Sequence, residues 1–427
     1  MTPTRKIFYR SHMPFLKKVV IQIILGAIIG ALCGLIIAFF LFCLERVTDI
    51  RVDNSSIVFA LPLAGLAMGL VYDKWGELAI KGNNLVLSAI QDHSQPLPRR
   101  MAPMVFIATT ISHLFGASVG REGAAVQIGA VVAQATSQVT KLGKDYRHIL
   151  MMGGVAGGFA AAFGAPLAAT IFALEVSHQR KNQLRALPAV LPAAFIGNYV
   201  TRLFIKHAHF SAPKIPFVSI LLILKLLALS LVIGAFCIVF IEVIHCIKKH
   251  LAKHLKSHAV KMTLGGLATV LLYLAVGNGI YLGLGSTIIA KAVSSTNIAW
   301  NTFLLKLAFT SVVLGSGFVG GEVTPLFFMG ATLGNVAGKA LRLSPQFCGA
   351  LGLCALFSAA ANTPLALSVL AAELFGIEIL PYAALVCFLG TIISSEKRGI
   401  YLTQRIFHHG RNDWLTLEEL QQIRDDF

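Results

Sequence analysis

Along this chain, long apolar runs alternate with short polar clusters that are mostly basic. Residues 19–44, 217–244 and 382–393 are nearly free of charge. Alone or tilted, such helices cover much or all of a hydrocarbon layer about 30 Å thick. Other apolar runs are too short to span, being broken by Gly and Pro around Gly82 and residues 116–123, 153–166 and 315–325. The pattern predicts an all-α integral membrane protein of broken and tilted transmembrane helices. Irregular backbone at membrane depth is tolerated only where protein or a water-filled path satisfies its polar groups, so the breaks mark the expected pathway. Close helix packing through small residues explains many of the other glycines.

Composition strengthens this picture. Hydrophobic residues are 56% of the 427 positions and charged residues 13%, against about a quarter charged in soluble domains. The mean hydropathy is +0.75. A formal net charge of +17 raises the question of nucleic acid. The basic residues, however, fall in clusters between apolar runs: Arg5, Lys6, Arg10, Lys17 and Lys18; Lys248, Lys249, Lys253 and Lys256; Lys397 and Arg398. That is the distribution of cytoplasmic loops, and no nucleic-acid partner is expected. The first apolar run is too long for a signal peptide. Seven scattered cysteines without CxxC spacing predict neither disulfides nor zinc. His250, His254 and His258 recur at helical spacing, but within a Lys-rich segment that reads as a solvated face. Gly-x-Ser-x-Gly occurs at 116–120, inside a glycine-rich break and not in a strand-to-helix elbow, and no His-Glu-x-x-His motif is present, so neither an enzyme nor a cofactor is expected.

The chain repeats itself. GAPLAATIFALEV at 164–176 is echoed by NTPLALSVLAAEL at 362–374, pairing Pro166 with Pro364 and Glu175 with Glu373 at a separation of 198 residues. SVGREGAAV at 118–126 matches FVGGEVTPL at 318–326 at a separation of 200, which sets Glu122 opposite Glu322. Gly34 and Gly234 recur in apolar helices at that same separation. Three matches in one order argue for duplication. The expected organisation is a cytoplasmic segment 1–18, membrane repeats 19–206 and 217–405, and a cytoplasmic tail 406–427 carrying a short helix with Thr416 at its N-cap. The first repeat's opening helix leaves a basic cluster, whereas the second repeat's runs toward one. The charge rule therefore makes this an inverted-topology repeat, an arrangement that places ion sites near the midplane.

An ionisable side chain at a helix centre in a membrane costs about 2.5 to 3.5 kcal/mol on translocon scales, so each needs a partner or a task. Glu175, Glu373, Glu242 and Glu378 close apolar segments and read as helix-end groups. Glu122, within Gly-Arg-Glu-Gly, precedes an apolar helix at 124–133 whose first N–H groups are free to bind an anion, and its own carboxylate is the nearest one. A movable carboxylate there competes with a diffusing anion and leaves when protonated. Glu322 occupies the equivalent break, with Thr324 as a hydroxyl donor and Pro325 suited to the first helical turn. When protonated it donates a hydrogen bond to an anion; when ionised it repels one. Such donors suit a small, strongly hydrogen-bonding anion. Asn83 and Asn84, in Gly-Asn-Asn, offer amide donors in a third break.

These motifs resemble the CLC chloride channel and transporter family, and more closely its bacterial fluoride/proton antiporter branch. GREGAAVQIG at 120–129, AAFGAPLAATIFALE at 161–175 and Gly-Gly-x-x-x-Pro at 320–325 carry the resemblance, which covers nearly the whole membrane region. By that resemblance Glu122 is the external gating glutamate, Val323 lends a backbone amide to the central anion site, Asn83 stands at the pore-serine position, and Tyr401 is the pathway tyrosine. Val176 stands where chloride/proton exchangers have an internal proton-transfer glutamate, and Glu322 with Thr324 is similar to the fluoride branch, in which that pair passes the proton. The implied function is fluoride export in exchange for protons, with a chloride/proton antiporter or chloride channel as the alternative. A homodimer in the bacterial inner membrane is implied with it.

Overall fold

The computed structural model describes residues 15–91, 96–140, 144–177, 183–207, 210–394 and 399–401. The basic residues Arg5 to Arg10, Lys397 and Arg398, and the helix expected around Thr416, lie outside the described residues. Eight α-helices make the first half: α1 (Phe15–Asp53), α2 (Leu61–Trp75), α3 (Asn83–Gln91), α4 (Met101–Leu114), α5 (Glu122–Val139), α6 (Lys144–Phe163), α7 (Pro166–Val176) and α8 (Gln183–Arg202). Eight follow in the second: α9 (Ile220–His254), α10 (His258–Val276), α11 (Ser286–Ser294), α12 (Thr302–Gly315), α13 (Val323–Ala340), α14 (Pro345–Ala361), α15 (Pro364–Phe375) and α16 (Leu380–Ser394). Among the described residues, five stretches are long and apolar enough to cross a membrane, α1 and α9 among them. Several others, such as α7 and α15, are too short to span. Large apolar side chains including Phe39, Leu63, Leu231 and Leu271 point outward, a surface that only lipid or a protein partner covers at low cost. The protein is a multi-pass membrane protein.

The two halves pack alike. Helix α1 lies on α8 as α9 lies on α16, and α5 lies on α6 as α13 lies on α14. Across the halves, counterparts meet: α2 with α10, α7 with α15, α5 with α13. Contact between each element and its own counterpart is the mark of an isologous two-fold relation, here internal to one chain. Its sense is inverted, as the end caps of α7 and α15 require. Glu175 at the end of α7 accepts from the amides of Leu365 (3.0 Å) and Ala366 (2.8 Å) at the start of α15. Glu373 near the end of α15 accepts from Leu167 (3.0 Å) and Ala168 (2.8 Å) at the start of α7. The helices must run antiparallel for each to close the other. Four charge-assisted bonds, each worth about 1.5 to 3 kcal/mol, satisfy amides that Pro166 and Pro364 leave at first turns. The helix-end role read for both glutamates thus has a geometry.

Glycines set the helix spacing. A Cβ on Gly129 of α5 would lie 2.1 Å from the Gly154 carbonyl oxygen of α6, and one on Gly330 of α13 would lie 2.2 Å from that of Gly352 in α14. Gly34 and Gly234 are equivalent too: a Cβ would lie 2.8 Å from the Gly197 carbonyl oxygen in the first and 3.0 Å from that of Gly390 in the second. Three sequence expectations need correction. The run at 153–158 is not a break: α6 continues through it, because its glycines serve packing, and the chain turns at Gly164, with φ of 80°. Helix α5 starts at Glu122 itself, two residues before the expected 124. Glu242 is inside α9 and exposed, because that helix extends past 244 to His254.

Overpacking costs about 1 to 3 kcal/mol even where neighbours can shift, and a backbone carbonyl cannot. Gly129→Val should therefore lower the melting temperature in detergent by several degrees. Gly279→Ala, whose Cβ meets nothing closer than 3.7 Å, should leave it unchanged. Equal melting curves for the two variants would contradict this packing.

Candidate functional site

Helices α5 and α13 begin inside the protein with their N-termini facing each other. The amide of Gly120 donates to the Gly321 carbonyl (2.5 Å) and that of Gly321 to the Gly120 carbonyl (2.7 Å). Only glycine permits this approach. A Cβ on Gly321 would lie 2.7 Å from the Gly123 nitrogen, and one on Gly120 would lie 2.9 Å from the Thr324 nitrogen. The first-turn amides of both helices have no intrahelical partner, and Pro325 has none to offer, so two partial positive ends share one small volume.

The carboxylates occupy that volume. Glu122, 3% exposed, is the first residue of α5, and its side chain turns back across the boundary between the repeats. Its Oε2 accepts from the Thr324 hydroxyl, on the first turn of α13, and from the Arg121 amide at 3.2 Å. Its Oε1 lies 3.4 Å from Arg121 Nε. Glu322, 9% exposed, is the residue before α13 and makes no capping bond to its own helix. Instead Oε1 accepts from Asn83 Nδ2 at 3.3 Å. Asn83 opens α3 directly after Gly82, whose φ of 54° turns the chain. The buried Tyr401 hydroxyl interacts with both Glu322 and Asn83, and its strand of chain is held where the Ile400 amide donates to the Ala360 carbonyl at 2.8 Å.

Glu122, Glu322, Thr324, Asn83, Val323 and Tyr401 are therefore brought together. Asn84 follows Asn83 in the chain, its Oδ1 buried without a partner among the described residues. Asn83, Gly123, Val323 and Tyr401 line one side of a cavity of about 10 Å³, and Val126, Phe159, Phe172 and Val176 line the rest; its surface is almost wholly apolar. That space holds about one water-sized particle. Val176 thus faces the chamber with a side chain that cannot carry a proton.

The structure shifts the expected internal alignment by one residue. Helices α4 and α12, and α5 and α13, start 201 residues apart, as do the left-handed glycines Gly116 and Gly317. Glu122 is thus equivalent to Val323, and Glu322 to Arg121. Gly320-Gly321 offers two registers against Gly120; matching Glu to Glu selects one, whereas the backbone bridge requires the other. The 198-residue separation of Pro166 and Pro364 stands unchanged. The two acids meet Asn83 and Thr324 beside the chamber from positions that are not symmetry-equivalent.

The sequence profile described as voltage gated chloride channel matches residues 63–395. The chain belongs to that family. This CLC protein is 36% identical over 403 residues to the chloride/fluoride channel protein of Pseudomonas syringae pv. tomato, covering 93% of this chain and 88% of that one. It is 28% identical over 434 residues to the H(+)/Cl(-) exchange transporter ClcA of Vibrio campbellii, covering 93% and 92%. Its structure is similar to the crystal structure of a CLC-type fluoride/proton antiporter, with a TM-score of 0.87 and 33% identity over 91% of this chain and 98% of that one. A slow cyanobacterial Cl−/H+ antiporter shares the fold at a TM-score of 0.78 and 16% identity, over 95% of this chain and 98% of that one.

The bridge between Gly120 and Gly321 gives a direct test. Gly321→Ala would set a methyl 2.7 Å from the Gly123 amide and push the two helix ends apart. Anion flux in liposomes should fall at least tenfold, equivalent to about 1.4 kcal/mol in the barrier. Wild-type flux from this variant would show that the close approach is dispensable.

Proposed function

We propose that this CLC protein is a secondary active transporter that exports fluoride in exchange for protons. The observation that carries the reading is the seat of Glu122: a buried carboxylate from one repeat, bonded to Thr324 on the opposing helix start, where a transported anion would be held. An anion arriving there competes with the carboxylate for the same donors. Protonation removes the negative charge and frees the side chain, so anion and proton movements become linked. Glu322 and Thr324 pass the proton onward, and Asn83, Tyr401, Thr324 and the Val323 amide hold the anion. Fluoride suits the chamber because it is small and hydrogen-bonds strongly, so the cost of stripping its water is offset only by converging donors.

The relatives support this reading from two sides. One solved relative is described as a fluoride/proton antiporter, and one curated relative as a chloride/fluoride channel. The chloride reading rests on the H(+)/Cl(-) exchanger at 28% identity. Glu322 favours fluoride, because a second carboxyl group beside the site penalises a weakly hydrogen-bonding anion when ionised and rewards a strong acceptor when protonated. We further propose that the protein works as a homodimer in a bacterial inner membrane, with a complete chamber in each subunit.

Two measurements on proteoliposomes test the proposal. Fluoride flux should exceed chloride flux at least tenfold under equal gradients; equal fluxes would end the fluoride assignment. Glu122→Gln keeps the side chain's size but cannot ionise, so proton movement driven by a fluoride gradient should vanish. Coupled exchange that survives this change would remove Glu122 from the mechanism.

A further inference from the structure

The chamber beside Glu122 and Glu322 is walled mostly by carbon, yet the proposed cargo is an anion. Two phenylalanines, Phe159 and Phe172, belong to that almost wholly apolar surface, and both are buried. Phe159, on α6, stacks on Phe172 of α7 with ring centres 4.5 Å apart and planes inclined by 22°. It also stacks on Phe163, one turn further along α6, at 4.7 Å and 30°. Two rings this close could share one face of Phe159 only by touching each other, and Phe163 and Phe172 make no ring contact among the described residues. They therefore cover opposite faces of Phe159. What Phe159 presents to the chamber is its edge, a rim of C–H bonds.

That orientation is locked by a closed circuit of rings. Phe163 meets Phe327 of α13 edge-on at 5.1 Å and 66°, and Phe172 lies 5.8 Å from Phe357 of α14. Phe327 and Phe357 close the circuit at 5.7 Å and 83°. Five rings from four helices thus hold one another, and Phe159 cannot turn a face to the chamber without breaking both of its stacks. An aromatic ring carries a quadrupole that is negative over its faces and positive around its edge. Covered faces and a presented edge therefore give the chamber partial positive charge without any ionisable group. In a cavity about one water molecule in size, a bound ion must touch the wall. Leucine or valine there would exclude water equally well but supply no such field.

We propose that Phe159 is a selectivity residue, whose aromatic edge attracts the anion in the chamber and favours fluoride over larger anions. The inference rests on the fluoride reading above and assigns the carbon wall a share of the binding, complementing Asn83, Tyr401 and the Val323 amide. Attraction between a charge and a quadrupole falls more steeply with distance than attraction between two charges. The smallest anion brings its charge nearest the C–H rim, so it gains most.

Anion flux through the full-length protein in liposomes, measured across fluoride and then chloride concentrations, tests the assignment. Cyclohexylalanine installed at position 159 by nonsense suppression keeps the bulk of the ring and removes its quadrupole; Phe159→Leu removes the ring itself. In both variants the half-saturating fluoride concentration should rise about three- to tenfold, with a smaller rise for chloride and an unchanged proton-to-fluoride ratio. A wall residue that only packs would instead lower the maximal rate and shift both anions alike. Melting curves verify the fold, and where Phe159→Leu loosens the core the cyclohexylalanine protein decides. A cyclohexylalanine protein that saturates at the wild-type fluoride concentration, or that shifts fluoride and chloride equally, overturns the inference and leaves the exchanger reading intact. A wild type that moves no fluoride would fell that reading before any variant is compared.

Discussion

Two helix N-termini brought head to head inside a membrane protein define this molecule. Partial positive charge at each end repels the other, and both ends are starved of hydrogen-bond acceptors. The reciprocal bonds of Gly120 and Gly321 hold the ends together at a separation that no side chain allows. What relieves the arrangement is negative charge in the shared space, and Glu122 supplies it from within. In the proposed mechanism an external anion competes with that carboxylate for the same donors, and exchange depends on the competition.

The rest of the fold keeps these ends in place. Inverted repeats bring equivalent helix starts to one depth, and Glu175 and Glu373 close the α7 and α15 ends reciprocally, so the halves cannot slide without losing four bonds. Contacts of Gly129 with Gly154 and of Gly330 with Gly352 fix α5 and α13 against rigid neighbours.

Much of this was legible in the sequence, for physical reasons. Apolar length announced the membrane, and glutamates inside glycine-rich breaks announced the chamber, because lipid makes every buried charge conspicuous. Glu175 and Glu373 were readable as helix ends, although not as each other's caps, since that requires knowing the helices lie antiparallel. The register of Glu122 against Glu322 was misread by one residue, because a Gly-Gly pair aligns equally well two ways and only the backbone bridge decides. The glycines at 153–158 looked like a break because packing and kinking use the same residue.

The central claim is that one buried carboxylate ties anion movement to proton movement. Its most direct test is uphill transport by the purified protein in sealed liposomes, with equal fluoride on both sides and a proton gradient imposed. Fluoride should accumulate on the more alkaline side's opposite, the acidic side, against its own emerging gradient, while protons flow down theirs. Proton flow without fluoride accumulation, or fluoride that moves only down its own gradient, would contradict the account.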